Sequence, residues 1–171
     1  MILRAASTLL EKQGLAGISL REAARRAGVS HNAPYRHFSD RDALLAALAA
    51  EGFGLLGKAL AGKSGRDMGE AYVHFALANP QRFRLMFGGL LRLDAHPELR
   101  RNAQATYAAL ERAFAGYGVD ASKAAAAAWS LVHGLSHLLL DGHFANKGDT
   151  EQFVRGVLGA IRFAVGAQRS A

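Results

Sequence analysis

Apolar residues recur at the spacing of an α-helix along the whole chain, and no run of four residues alternates like a strand. In the first segment Ile2, Ala6 and Leu9 share one helical face, and Gly14 follows as an end signal. After four N-terminal helices, loop signals rich in Gly, Pro, Asn and Asp separate at least five more. The sequence therefore predicts an all-α protein.

Capping signals predict where several helices begin. Ser19 and Glu22 have the spacing of a capping box, in which each side chain serves a backbone N–H of the other residue. Ser30 can cap a short helix from His31 to His37, and Ser39 or Asp40 the long helix after it. Four later starts are indicated by proline or aspartate, at Pro80, Pro97, Asp120 and Asp149. The last helix is predicted to run from Thr150 to about Ala167.

Half of the 171 residues are hydrophobic, which is enough for a buried core, and the absence of cysteine excludes disulfides and thiolate metal sites. Residues 1–14 carry charges in an amphipathic pattern and lack the features of a signal peptide. The longest stretch without Asp, Glu, Lys or Arg, residues 124–140, is shorter than the roughly 20 apolar residues of a membrane span. We expect a soluble, cytoplasmic protein without a membrane partner.

The formal net charge is +7, and much of it lies near the N-terminus. Residues 1–41 contain seven basic and three acidic side chains, a net charge of +4. This concentration favours a polyanionic partner such as nucleic acid, although a mildly basic solvated face would look the same.

Residues 18–42 have the layout of a helix-turn-helix, with two short helices meeting at Ala27-Gly28-Val29. Gly28 suits the tight turn because it tolerates a positive φ, and Val29 and Phe38 are expected in the core. Generic helix hairpins share this layout, so the layout alone does not decide the class of protein.

From Ile2 to about Phe53 the sequence resembles the N-terminal domain of the TetR family of transcriptional regulators. The resemblance rests on residues in the family's order and spacing, namely Gly14, Ser19, Ala27-Gly28-Val29-Ser30, Tyr35-Arg36-His37-Phe38 and Arg41. It implies a helix-turn-helix DNA-binding domain over residues 1–50, and a helical ligand-binding and dimerisation domain over residues 51–171. It also implies a homodimeric repressor that a small molecule releases from a palindromic double-stranded DNA operator. Two departures are Pro34, where a bulky aliphatic residue is commonest, and a first helix without the basic arm that precedes it in many members. The absence of this arm would either weaken phosphate binding or mean that the sequence is truncated.

The resemblance also implies roles for single residues. His31, Asn32 and Arg36 would reach base edges, which suits Asn as a partner of adenine and Arg as a partner of guanine. Tyr35, His37 and Arg41 match positions that contact phosphates and set register. The full predicted DNA-binding set is Arg21, Ser30, His31, Asn32, Tyr35, Arg36, His37 and Arg41. Tyr35 could instead be a half-buried packing residue, and Arg25 and Arg26 are more consistent with surface charges.

In the second half, residues 129–134 resemble the W-x-x-x-H-G signature of one C-terminal domain type in that family. Trp129 and His133 share a helix face, and a neutral histidine in an apolar bundle needs a hydrogen-bond partner. The predicted ligand-binding residues are Tyr72, Phe75, Met86, Phe87, Tyr107, Trp129, His133 and His137. Each of them could also be plain core. No cofactor or metal is predicted, because Gly134 stands where the paired-histidine zinc motif requires Glu.

The last two helices are predicted to form the dimer interface. Glycines would allow close helix approach at Gly134, Gly156 and Gly159, and apolar contact would come from Leu131, Leu135, Leu138, Val157, Leu158 and Ile161. Two other functions compete: a small all-helical enzyme or ligand carrier with a Trp129/His133 pocket, and a DNA-binding regulator that has no ligand. The enzyme hypothesis lacks paired carboxylates, a Ser/His/Asp set and a phosphate loop, and it leaves the N-terminal motif unexplained.

Overall fold

The computed structural model describes residues 1–63, 65–115, 120–146 and 148–160. Its eight α-helices are α1 Ile2–Gln13, α2 Leu20–Ala27, α3 Arg41–Leu60, α4 Gly65–Ala78, α5 Pro80–Phe87, α6 Pro97–Phe114, α7 Ala121–Leu140 and α8 Thr150–Ala160. These described ranges contain no strand, and the all-α prediction is confirmed. The predicted extension of the last helix to Ala167, and Ile161 as an interface residue, lie outside the described residues.

Helix starts follow the capping signals of the sequence. Ser19 Oγ accepts the Glu22 N–H at 3.1 Å, and Asp40 Oδ1 accepts the Ala43 N–H at 2.8 Å, so Asp40 caps α3. The predicted caps at Asp120 and Asp149 are confirmed by bonds from the N–H groups of Ser122, Lys123 and Gln152. The reciprocal half of the capping box is wrong: the Glu22 carboxylate pairs with Arg25, one helical turn away, and not with the Ser19 backbone.

The first of two compact units consists of Met1–Leu55 and Asn79–Ala105. Here α1 packs on α2 and on α5, around buried leucines that include Leu9, Leu10 and Leu44. Gly28 ends α2 with φ +66°, as the turn requires. Val29 and Phe38 are only partly buried, so the expectation that both lie in the core was too strong.

The second unit consists of Leu56–Ala78 and Thr106–Ala171. In it α4 packs against α7 and α8. A Cβ at Gly69 would lie 3.3 Å from Leu158 and 3.4 Å from Val132, which shows how closely these helices approach. Helices α3 and α6 each contribute residues to both units. The predicted boundary at residues 50/51 divides the chain by function and stays a prediction, whereas contacts group residues 79–105 with the N-terminal part.

Among the described residues, α3 is the one helix long and apolar enough to cross a membrane by composition. More than half of its apolar window, 56%, is buried within the protein, as in the core helix of a folded domain. The longest charge-free stretch of the sequence, residues 124–140, lies in α7 and not in α3, because α3 carries a few charges.

Candidate DNA interface and aromatic cluster

The predicted second helix of the helix-turn-helix is a single 3₁₀ turn, Ala33–Arg36, which we call the reading turn. The prediction of a helix from His31 to His37 was therefore too long. Pro34 accounts for the difference, because proline has no N–H to donate to the Ser30 carbonyl, which accepts the Ala33 N–H at 2.9 Å instead. Ser30 contributes its Oγ as an acceptor for the Asn32 N–H at 3.4 Å.

The reading turn packs on α2 and presents a group of polar side chains to solvent. Within the turn Pro34 is fully buried, and Phe38, two residues after the turn, is half-buried. The exposed side chains are those of His31, Asn32, Tyr35, Arg36 and His37, with Tyr35 50% exposed. The structure thus brings together, on one surface segment, most of the residues that the sequence assigned to DNA.

Arg21 is exposed in the first turn of α2. Arg25 is exposed and pairs with Glu22 of the same helix, with Nε 2.8 Å from Glu22 Oε2, and this hydrogen bond lowers the pKa of Glu22. The interpretation of Arg25 as a surface charge agrees with this pairing.

Arg41 has internal partners that sequence reasoning missed. Its Nε donates to the Ile18 carbonyl at 2.9 Å and its Nη2 to the Leu15 carbonyl at 2.7 Å. The planar guanidinium therefore clamps the turn between α1 and α2 to the start of α3, a geometry that a lysine ammonium cannot reproduce. The sequence could not predict this arrangement, because the carbonyls that Arg41 contacts belong to residues more than twenty positions away.

In the second unit a chain of hydrogen bonds joins α4 to α7. Trp129 Nε1 donates to Tyr72 Oη at 3.0 Å, and Tyr72 Oη lies 2.9 Å from His133 Nδ1. An indole only donates, so Tyr72 accepts from Trp129 and has its own proton to give to His133. His133 Nδ1 accepts this proton in the neutral tautomer that carries its hydrogen on Nε2.

Burial favours the neutral forms of Tyr72 and His133, the two groups of this hydrogen-bonded chain that can gain or lose a proton. Burial raises the pKa of Tyr72, although the bond from Trp129 opposes the shift. Burial also lowers the pKa of His133, and the neighbouring His137 lowers it further. The cluster is thus held by directed bonds between uncharged groups.

Five of the eight predicted ligand-binding residues form what we call the aromatic cluster, namely Tyr72, Tyr107, Trp129, His133 and His137. Tyr107 lies 5.7 Å from Trp129 by ring centroids, and His137 lies 4.7 Å from His133. Phe75 is buried on α4 of the same unit. Met86 and Phe87 belong to the first unit, where Phe87 packs on Phe53 and Phe83 at centroid distances of 5.2 and 4.9 Å. Within the described parts of the chain, no group of three His, Cys, Asp or Glu residues is placed to hold a metal ion.

The predicted dimer residues divide into two groups. Leu135 and Leu158 are buried within their own unit, where α4 covers them, so they are not surface contacts as expected. Leu138 is 42% exposed, and a Cβ at Gly134 or Gly156 would meet nothing within 4 Å. Gly134 and Leu138 of α7 and Gly156 of α8 are therefore predicted dimer residues that lie open.

A buried arginine on α5 has no counterpart among the predicted sites. Arg82 is 4% exposed and pairs with Glu51 of α3 at 2.8 Å and with Ser7 of α1. Its position directly before the apolar residue Phe83 is a weak sequence signal of burial. Nothing in the sequence near Arg82 identifies its partners.

Two family models match the chain. One described as bacterial regulatory proteins, tetR family, matches residues 2–48, and one described as tetracyclin repressor-like, C-terminal domain, matches residues 66–161. No curated protein matches the sequence.

Solved structures resemble the chain over nearly its whole length. A protein with unknown function from Rhodococcus sp. RHA1 is 35% identical, with 93% of this chain and 88% of that chain covered and a TM-score of 0.77. A transcriptional regulator from Rhodococcus sp. Rha1 is 24% identical, with 93% and 90% covered and a TM-score of 0.65. AibR, in complex with isovaleryl coenzyme A and operator DNA, is 17% identical, with 94% and 95% covered and a TM-score of 0.67. The last two likenesses concern the fold.

Proposed function

Because the chain belongs to the TetR family of transcriptional regulators, we propose that it is a homodimeric repressor that leaves a palindromic operator when a small molecule binds. Family membership implies a DNA-binding regulator rather than an enzyme, which counts against a catalytic Trp129/His133 pocket. It also suits a soluble protein of the cytoplasm, where the operator is found. The W-x-x-x-H-G subtype stays a prediction.

The observation that carries the proposal is the exposed polar surface of the reading turn. Asn32 and Arg36 are proposed to read adenine and guanine edges in the major groove, with His31 beside them. Arg21, Tyr35 and His37 are proposed to bind phosphates, and the outer N–H groups of Arg41 to do the same. One turn of this size reaches few base pairs, so a second copy is needed for a specific site.

The proposed second copy binds through the open surface of α7 and α8 around Gly134, Leu138 and Gly156. A two-fold dimer presents two reading turns to two half-sites, which explains why the operator should be a near-palindrome.

The proposed ligand site is the aromatic cluster, because its uncharged rings and directed hydrogen bonds suit an apolar or aromatic small molecule. AibR, a relative in fold, was solved with both a ligand and operator DNA. Ligand binding would shift the helices that lead from the cluster to the N-terminal residues and so change the spacing of the reading turns. The coupling is reciprocal, so operator must weaken ligand binding by the same factor.

A genomic fragment library incubated with purified protein tests the DNA function. The wild type is expected to enrich a near-palindrome, with affinity that falls as salt rises. Arg36→Ala should abolish the enrichment, whereas Lys58→Ala, which removes an exposed positive charge in the second unit, should retain it. Uniform or absent enrichment by the wild type would refute a sequence-specific regulator.

A further inference from the structure

Arg82, in the first turn of α5, is a buried cation at the meeting point of three helices. Its Nη1 donates to Glu51 Oε2 of α3 at 2.8 Å, and its Nη2 donates to Ser7 Oγ of α1. Arginines are seldom buried unless paired, and here the pairing connects α5 to both neighbours through one side chain.

The backbone of the same turn is bound to α1 as well. The N–H groups of Gln81 and Arg82 donate to the two carboxylate oxygens of Glu11, at 3.3 and 3.1 Å. Asn79, at the N-cap position of α5, makes no side-chain capping bond. Glu11 therefore caps α5 from another helix, where a negative charge also complements the helix dipole.

The stem of Arg82 lies directly on the backbone of α3. A Cβ at Gly52 would come within 3.1 Å of the Arg82 side chain and 2.6 Å of Met86 Sδ. Arg82 Nε is buried without a hydrogen-bond partner in the described part of the chain. The contact is thus close and directional, but its polar bonding is incomplete, so it depends strongly on the relative positions of the three helices.

We propose that Arg82 and Glu11 form a joint that positions the DNA-binding surface. The joint fixes α1, which packs on α2, and α3, which begins five residues after the reading turn. If the joint opens, the reading turn loses its fixed orientation while the individual helices remain folded. This inference rests on the proposed DNA function.

The joint is also adjacent in sequence to a helix that carries part of the aromatic cluster. Tyr72 of the aromatic cluster is on α4, and Asn79 alone separates α4 from α5. A ligand that rotates or shifts α4 would therefore act on the first turn of α5, where Glu11 and Arg82 make their contacts.

The test compares Arg82→Lys and Glu11→Gln with the control Arg101→Lys, an exposed arginine in the first unit. Arg82→Lys keeps the charge but loses the two-pronged donor, and Glu11→Gln keeps the shape but loses one acceptor and the charge. The probe is the DNA fragment that the wild type enriches, titrated at several salt concentrations where circular dichroism shows every variant folded. We expect both joint variants to bind about tenfold more weakly with an unchanged salt slope, and the control to bind like the wild type.

Hydrogen exchange provides the second measurement. The amides of α1 and of the first turn of α5 should exchange faster in the joint variants, and those of α7 and α8 should not change. Folded variants with wild-type affinity overturn the proposal. A changed salt slope overturns it too, because the substitutions would then alter the number of phosphate contacts directly. If the wild type itself enriches no fragment, the proposed DNA function is refuted. That outcome is distinct from a result in which only the comparison of the variants contradicts the joint.

Discussion

At the scale of single residues, Arg41 and Arg82 show that arginines in this protein serve the fold as well as the DNA. Arg41 donates to two backbone carbonyls, and Arg82 joins three helices. Each such bond contributes roughly 1 kcal/mol or somewhat more to stability. Counting arginines as phosphate contacts therefore overstates the charge that is available to an operator.

His133 makes stability depend on pH in a predictable direction. The pKa of His133 in the folded protein is lowered by burial and by His137, whereas the unfolded residue takes up its proton near its ordinary value of 6.5. The unfolded state thus binds more protons below about pH 7, and the free energy of unfolding should fall as pH decreases from there toward about 5. His133→Gln, which keeps an acceptor for Tyr72, should show a shallower fall in urea denaturation.

The matched control is His143→Gln, which removes an exposed histidine of the same unit. It should keep the pH dependence of the wild type. Equal slopes for His133→Gln and the wild type would show that the titration of His133 does not cause the pH dependence.

The caps at Ser19, Asp40 and Asp120 could be predicted because each bonds an N–H only two or three positions away. The partners of Arg82 could not, because Glu51 and Ser7 are 31 and 75 positions distant. Tyr72, Trp129 and His133 were three of the eight predicted ligand-binding residues, since each is a large or polar residue in an apolar helix. The hydrogen bonds among these three residues could not be predicted, because they depend on how α4 and α7 pack and not on local sequence.

At the scale of elements, the sequence pattern predicted the helices almost throughout, and the reading turn is the first of two exceptions. By propensity alone, Pro34 is tolerable in the first turn of a helix. Its missing N–H and its full burial instead leave a 3₁₀ turn of four residues. Residues 79–105 are a second exception, because sequence patterns identify helices but not which neighbours they pack against.

Two glycines on α3 in the first unit should respond oppositely to alanine. Gly52 is buried, and a Cβ there would meet Met86 at 2.6 Å, so Gly52→Ala should destabilise by about 1–3 kcal/mol. Gly54 is exposed with nothing within 4 Å, so Gly54→Ala should stabilise the helix by about 0.5–1 kcal/mol. Thermal and urea unfolding measure both, and a stabilising Gly52→Ala would mean that α3 and α5 do not approach as closely as described.

At the scale of the whole molecule, the proposed dimer depends on the open surface of α7 and α8. Leu138→Glu places a charge on that surface and should convert a dimer to a folded monomer in light scattering, with loss of operator binding. Leu90→Glu, at a leucine that is 53% exposed in the first unit, is the matched control and should remain dimeric. A Leu138→Glu protein that stays dimeric would exclude this surface as the interface.

The hydrogen bond from Trp129 to Tyr72 also gives the protein a natural optical reporter. Trp129 is the single tryptophan of the chain, so all indole emission comes from the second unit and none from the DNA-binding surface. Its wavelength should depend on whether the indole N–H is bound to the phenol or to water. A change in emission during titration with operator would therefore report, without any label, that DNA bound by one unit alters the environment of the other.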